Sequence, residues 1–123
     1  MTSVYGISRD VSGLEKGPFY WVYNLGSCIL NVQIKNGLSC WQLNEKLDRV
    51  YKYSEIPRFT DDDAKDMMDR YSHYIVTEDG SITAKNLFDD VIRYKCLALE
   101  EGYLNKWTHG RIALLGDAVH KVH

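Results

Sequence analysis

The sequence predicts an α+β protein, with an antiparallel sheet of about four or five strands and two amphipathic helices on one face. Two observations carry this prediction. The first half of the chain alternates apolar and polar residues, as half-buried strands do, whereas the second half repeats apolar residues every three or four positions, as helices do. A strand, a turn and the start of a helix are predicted to form a tail. With 123 residues and 45% hydrophobic side chains, the chain is long enough for one core.

The strands of the first half are predicted from runs rich in apolar, aromatic or β-branched residues: residues 5–8, 19–23, 28–34 and 38–43. In the third run, Leu30, Val32 and Ile34 share one face, which is typical of a half-buried strand. Asn36-Gly37 follows, a dipeptide that readily adopts positive φ at both positions of a tight turn. The third and fourth runs are therefore predicted to form a β-hairpin.

Two helices are predicted in the second half. Thr60 and Asp63 resemble a capping box at the start of the first helix, and acidic residues there favour the positive end of the helix dipole. The apolar residues at helical spacing are Ala64, Met67, Met68, Tyr71 and Ile75 in the first helix, and Ala84, Leu87, Phe88, Val91 and Ile92 in the second. Thr83 is expected to cap the second helix. Residues 96–99 and 112–115 are short apolar runs that predict further strands.

Charge and composition exclude several function classes. Fifteen Lys and Arg residues against seventeen Asp and Glu residues give a net charge of −2, so nucleic acid is not an expected partner. No apolar run approaches the ~20 residues of a membrane-spanning helix, and the first residues do not resemble a signal peptide, so a cytoplasmic protein is expected. Cys28, Cys40 and Cys96 are too widely spaced for paired zinc ligands and are expected to be reduced and structural.

Two groups of residues are candidates for a functional site. Gly116 and Asp117 follow a predicted strand, where a carboxylate can accept hydrogen bonds from ligand hydroxyls, although Gly-Asp is equally ordinary turn chemistry. Aromatic residues of adjacent strands, Tyr20, Tyr23 and Trp41 with Trp21, can line a pocket for a flat apolar substrate or pack against the helices. His120 and His123 are interpreted as terminal histidines, and no metal site is predicted.

The chain resembles a known family. Residues 110–121, with the sequence GRIALLGDAVHK, look like the second flavin-binding motif of the FAD-dependent monooxygenases related to aromatic hydroxylases. Other segments are similar in order and spacing to the fungal, paxilline-pathway type of that family: residues 5–8, the Trp41 strand with Lys46-Leu47, residues 56–60 with Asp63, and residues 99–102 before Trp107. The resemblance therefore covers nearly the whole chain.

The resemblance implies a fold, a cofactor and a reaction. In that family the aspartate at the position of Asp117 binds the ribityl chain of FAD, which implies cofactor contacts for Gly116 and Asp117 with Arg111 nearby. Residues 1–105 would belong to the substrate-binding middle domain and residues 106–123 to part of the flavin domain. The implied reaction is the NAD(P)H- and oxygen-dependent hydroxylation or epoxidation of a hydrophobic natural-product intermediate of the terpenoid or indole-diterpene type.

The sequence lacks other motifs of that family. No Gly-x-Gly-x-x-Gly turn for the ADP part of FAD occurs, and Asp79-Gly80 is not at the position of the family's Asp-Gly motif. We therefore expect a truncated or partial monooxygenase that does not retain FAD alone and associates as a homodimer or with a missing flavin-binding half. The alternatives are a cofactor-free isomerase or cyclase that uses Asp117, His120 or a pocket tyrosine for proton transfer, and a non-catalytic binding module.

Overall fold

A computed structural model describes residues 1–121 and shows one five-stranded antiparallel sheet with two helices. The sheet strands are β1 (Thr2–Arg9), β2 (Phe19–Asn24), β3 (Ser27–Ile34), β4 (Leu38–Glu45) and β5 (Val91–Ala98), and the helices are α1 (Asp61–Tyr71) and α2 (Ala84–Asp89). The order across the sheet is β2-β3-β4-β1-β5, so β2 and β5 are its edges. The predicted α+β class is confirmed.

The core lies between one face of the sheet and the two helices. Val4, Ile29 and Leu43 are fully buried on this face, where they form a cluster with Met67 of α1 and Leu87 of α2. Because side chains alternate between the two faces of a strand, each sheet strand contributes every second residue to this core. Each fully buried aliphatic side chain contributes about 1.5–3 kcal/mol relative to leaving it in water.

Trp41 lies across Gly6 of the neighbouring strand. A Cβ atom at Gly6 would come within 2.0 Å of the Trp41 ring, so only glycine leaves room for the indole. The indole Nε1 donates a hydrogen bond to Ser8 Oγ at 2.8 Å, and Ser8 Oγ in turn donates to the carbonyl of Leu87 in α2. The Trp41 ring also contacts Phe88 of α2, with 4.8 Å between the centroids. This arrangement joins β1, β4 and α2.

A buried glutamine on the same face fixes the loop between β1 and β2. Gln33 Oε1 accepts hydrogen bonds from the backbone N–H of Val11 at 3.2 Å and from Ser39 Oγ at 2.9 Å. Its Nε2 donates to the carbonyl of Leu14 at 3.2 Å. A buried amide with both ends bonded costs little to bury, so this loop packs against the sheet.

The predicted hairpin and capping box are both confirmed. Asn36 and Gly37 have positive φ angles of 71° and 68° in the turn between β3 and β4. At the start of α1, the Thr60 hydroxyl accepts a hydrogen bond from the backbone N–H of Asp63, whose carboxylate accepts from the backbone N–H of Thr60. These signals involve only neighbouring residues, so they are readable from local sequence.

An ionic cluster attaches α1 to the sheet. Arg70 donates two hydrogen bonds to the carboxylate of Glu45, at 2.8 and 3.1 Å, and the hydroxyl of Tyr71 donates to the same group at 2.7 Å. Burial and this hydrogen bond to Glu45 raise the pKa of Tyr71 above its ordinary value of 10.0. The phenol therefore remains a donor at neutral pH.

Both helices are shorter than their apolar patterns predict. Ile75 lies beyond α1, and Val91 and Ile92 belong to β5 rather than α2, because α2 ends at Asp89 and β5 pairs with β1 along its length. That pairing joins segments far apart in the sequence, so tertiary structure overrides the local period. In the described part of the chain, neither helix has the length and apolarity needed to span a membrane.

The tail forms a reduced version of the predicted strand, turn and helix start. Its short strands are β6 (Gly102–Tyr103), β7 (Thr108–His109), β8 (Ile112–Ala113) and β9 (His120–Lys121). β7 pairs with β8 and β6 with β9, and a single 3₁₀ turn at Gly116–Ala118 replaces a longer helix. Of residues 100–121, Val119 is buried and the others are exposed. With so little apolar surface buried, longer elements gain no stabilisation from packing.

The Asp63 carboxylate makes helix stability depend on pH. Hydrogen bonds from Thr60, above all from its backbone N–H, lower the pKa of Asp63 from its ordinary value of 3.8. The lowered value means that the ionised cap stabilises the fold above about pH 4 and that this contribution disappears as pH falls through the lowered pKa. We expect the difference in melting temperature between wild type and Asp63→Asn to shrink on acidification over that range.

Thermal melts followed by circular dichroism between pH 2 and 7 measure this difference. Asp66→Asn serves as the matched control, because its side chain in the same helix forms no capping box with Thr60. A constant difference between wild type and Asp63→Asn at all pH values would contradict the expected linkage.

Candidate functional site

The face of the sheet opposite the helices, here called the open face, carries side chains in rows across the strands. The strand registers give three rows: Tyr23, Cys28, Asn44, Ser3 and Leu97; Trp21, Leu30, Gln42, Tyr5 and Lys95; and Phe19, Val32, Cys40, Ile7 and Arg93. Both helices pack on the other side, so no helix covers these rows in the part of the chain that is described. The open face is therefore not covered by a helix, although Ser3, Cys28 and Asn44 of the first row are buried among their neighbours.

Three aromatic side chains form a strip along the β2 edge of the open face. Phe19, Trp21 and Tyr23 are 58%, 53% and 67% exposed. The rings of Trp21 and Tyr23 stack with 5.2 Å between their centroids and 17° between their planes. Clustered exposed aromatic groups of this kind are typical of binding surfaces, because water solvates them poorly.

A cavity of about 860 Å³ lies at one end of the open face. Its lining is mostly apolar or uncharged: Met1, Trp21, Tyr23, Asn24, Gly26, Ser27, Cys28, Leu30, Gln42, Asn44, Lys46 and Leu99. The volume is within the range of about 300–1,000 Å³ that small-molecule sites occupy. Trp21 and Tyr23 of the aromatic strip form one wall, so a flat apolar ligand can lie against their rings.

The floor of this cavity is polar. Gln42 Nε2 donates a hydrogen bond to Asn44 Oδ1 at 2.7 Å, and Asn44 Nδ2 donates to Cys28 Sγ at 3.3 Å. These bonds hold the two amides in fixed orientations, so the polar groups beneath a bound ligand are preorganised.

The aromatic residues considered from sequence lie on different faces of the sheet. Tyr23 lines the cavity, whereas Tyr20 packs against the core and Trp41 is 2% exposed within it. The strand period of two explains the division between Tyr20 and Tyr23, because residues three apart point to opposite faces. Trp41 faces the helices because Gly6 leaves room for its ring there. Of the three residues expected to line a substrate site, only Tyr23 is placed at the cavity.

Sequence reasoning missed the polar residues of the cavity. Gln42, Asn44 and Lys46 occur at alternate positions of one strand and its continuation, so they share a face. This spacing is visible in the sequence. Its meaning depends on knowing that Trp41, at the intervening position, faces the helices.

The cofactor residues implied by the resemblance lie on the exposed tail. Arg111 follows Gly110 in the turn between β7 and β8, Gly116 has a φ angle of +60°, and Asp117 lies in the 3₁₀ turn. Asp117 borders a cavity of about 330 Å³ that Glu100 and Glu101 also line. This part of the chain is exposed, and Lys121 lines the same cavity as the three carboxylates.

These tail residues do not by themselves fit FAD. A Cβ at Gly116 would meet nothing within 4 Å, so no cradle surrounds the backbone there. Cofactor contacts of Arg111, Gly116 and Asp117 remain a prediction from the resemblance. No chemical step through flavin is assigned to these residues.

Asp117 and His120, the two candidates for proton transfer in the tail, do not contact each other through a hydrogen bond or ion pair in the described residues. His120 stacks on Trp107 with 5.5 Å between ring centroids, and within residues 1–121 no hydrogen bond or ion pair links it to Asp117. His123 lies outside the described residues.

No group of three or more possible metal ligands occurs in the described range. All three cysteines are free thiols, and burial raises the pKa of Cys96.

Comparisons with known proteins identify relatives. The FAD-dependent monooxygenase penE of Penicillium thymicola is 40% identical over 97% of this chain, and adrH of Penicillium rubens, of the same description, is 36% identical over 97%. The FAD-dependent monooxygenase trt8 of Aspergillus terreus is 37% identical over 98%. No family model matches, and no solved structure matches.

The match covers only part of each relative. The chain spans 25% of penE, 26% of adrH and 30% of trt8. Identities of this size over nearly the whole chain establish common ancestry for the matched segment. This protein is thus a homologue of the fungal FAD-dependent monooxygenases over a segment about a quarter of their length.

Proposed function

We propose that this chain forms the substrate-binding part of an FAD-dependent monooxygenase and that a flat, hydrophobic small molecule binds on its open face. The observation that carries this proposal is the cavity of about 860 Å³ beside the stacked rings of Trp21 and Tyr23. By the family resemblance, the molecule is a terpenoid or indole-diterpene type of natural-product intermediate. Residues 1–105 supply this surface, and residues 106–123 belong to the flavin side of the enzyme.

Binding on the open face follows from its surface chemistry. Each 100 Å² of apolar surface removed from water contributes about 2.5 kcal/mol before the costs of association are subtracted. The aromatic strip and Leu30 supply such surface, and a planar ligand can stack parallel to Trp21 and Tyr23. The role of this chain is to bind and orient the substrate, and flavin, when bound by the enzyme, supplies the activation of oxygen.

A flat fluorescent alcohol tests this surface directly. We expect pyrenebutanol to bind the protein with a change in pyrene emission, and Trp21→Ala to weaken binding about two- to tenfold, because stacking on one aromatic side chain is worth about 0.5–1.5 kcal/mol. Fluorescence titration at fixed probe concentration measures both affinities.

Trp107→Ala is the control for this titration, because it removes an exposed tryptophan of the tail that does not line the open-face cavity. It is expected to bind pyrenebutanol as wild type does. Absence of saturable binding to wild type, or equal losses in the two variants, would overturn the proposed site.

A further inference from the structure

Strand β4 changes chemically along the open face. Its residues on that side are Leu38, Cys40, Gln42 and Asn44, and Lys46 continues the alternation one position past the strand end. The backbone N–H of Lys46 donates to the carbonyl of Gly26 at 2.7 Å. Gly26 directly precedes β3, so the hydrogen bonding between β4 and β3 extends to Lys46. The open face therefore passes from apolar to amide to cationic within a single line of side chains.

Lys46 is the one charged side chain among the described residues that line the cavity. The lining includes no aspartate or glutamate, and none of the ion pairs among residues 1–121 includes Lys46. This is notable in a chain with more acidic than basic side chains. A cation beside an apolar cavity, with no anion of the protein opposite it, favours an anionic ligand group.

The amides beside Lys46 add hydrogen-bond donors. Gln42 uses one N–H of its Nε2 for Asn44, which leaves its second N–H without a protein partner in the described range. Gln42 lines the cavity and is only half-buried. An oxygen atom placed near Lys46 can thus also accept a hydrogen bond from the cavity floor.

Resting on the function proposed above, we propose that this cavity selects apolar ligands that carry one acidic oxygen group, either a carboxylate or an ionised enol. The acidic oxygen binds at Lys46 and Gln42, and the apolar body lies across Leu30 towards Trp21. This orientation fixes which end of the substrate is held and which part projects along the aromatic strip.

The charge of the lining favours a monoanion over other oxygen groups. A neutral alcohol can accept the hydrogen bond from Gln42 but gains no ion pair with Lys46. The apolar residues around the remainder of the cavity disfavour any second charged group.

A pair of probes with the same ring system tests the selection. We expect wild type to bind pyrenebutyrate about fivefold more tightly than pyrenebutanol, since a partly exposed ion pair contributes up to about 1 kcal/mol. This preference should decline at high salt. Lys46→Gln should abolish the preference, because it should weaken pyrenebutyrate binding more than pyrenebutanol binding.

Lys35→Gln is the matched control, because Lys35 lies in the turn at the other end of the β3–β4 hairpin and does not line the cavity. It should retain the preference for pyrenebutyrate. Melting curves of both variants establish that they fold as wild type does.

The outcomes separate this inference from the proposed function. Equal affinities of wild type for the two probes, or a preference that persists in Lys46→Gln, would overturn selection of an acidic group and leave hydrophobic binding intact. Failure of wild type to bind either probe would overturn the proposed function itself.

Discussion

Replacement of Gly6 by alanine is expected to lower the free energy of unfolding by about 3 kcal/mol, the upper range for overpacking a core. The added Cβ would lie 2.0, 2.3 and 2.5 Å from atoms of the Trp41 ring. The indole cannot yield easily, since its Nε1 is bonded to Ser8 and its ring packs on Phe88. Urea unfolding followed by circular dichroism measures the change.

Gly102→Ala is the matched control for Gly6→Ala. A Cβ at Gly102 would meet nothing within 4 Å, and its φ angle is not in the left-handed region. We expect its effect to be within about 0.5 kcal/mol, as for most exposed substitutions. If Gly6→Ala unfolds at the same urea concentration as wild type, the prediction is wrong, and the packing of the Trp41 ring does not require the absence of a side chain at Gly6.

Replacement of tryptophan by alanine is expected to reduce stability on the core face of the sheet and ligand binding on the open face. Trp41→Ala should lower the free energy of unfolding by about 3–5 kcal/mol, because it leaves a cavity in the core and removes the partner of Ser8 Oγ. Trp21→Ala should cost less than about 1 kcal/mol, because that ring is half-exposed on an edge strand. Its effect should instead fall on ligand binding.

Unfolding curves and pyrenebutanol titrations of both tryptophan variants measure the two effects. Trp41→Phe is an intermediate control, which keeps an aromatic ring in the core but lacks the indole N–H that Ser8 accepts. Equal destabilisation by Trp41→Ala and Trp21→Ala would contradict the assignment of the two rings to core and open face.

Sequence patterns predict the parts of this fold that depend on neighbouring residues. The Asn36-Gly37 turn and the Thr60 capping box are of this kind, and both form as expected. The end of α2 is not, because Val91 and Ile92 fit a helical period but belong to β5, in which Val91 pairs with Ser8 of β1 and Ile92 lies at an irregularity of the register. The local period of apolar residues does not show that pairing with a distant strand competes with continuation of the helix.

The site is harder to predict than the fold for a similar reason. The face that Trp41 occupies depends on Gly6, a residue on another strand, and the faces of Gln42 and Lys46 follow from it. The flavin motif is recognisable by resemblance, yet its residues lie on an exposed tail whose geometry does not enclose a cofactor.

Alternate residues of β4 have two different roles, because one set packs in the core and the other lies on the open face. Positions 39, 41 and 43 support the core, whereas positions 40, 42 and 44 face the surface where a ligand can bind. Mutation at the second set can alter ligand preference without opening voids beneath the helices. Substitutions at positions 40 and 42 therefore change the chemistry of the open face, whereas positions 39, 41 and 43 remain constrained by packing.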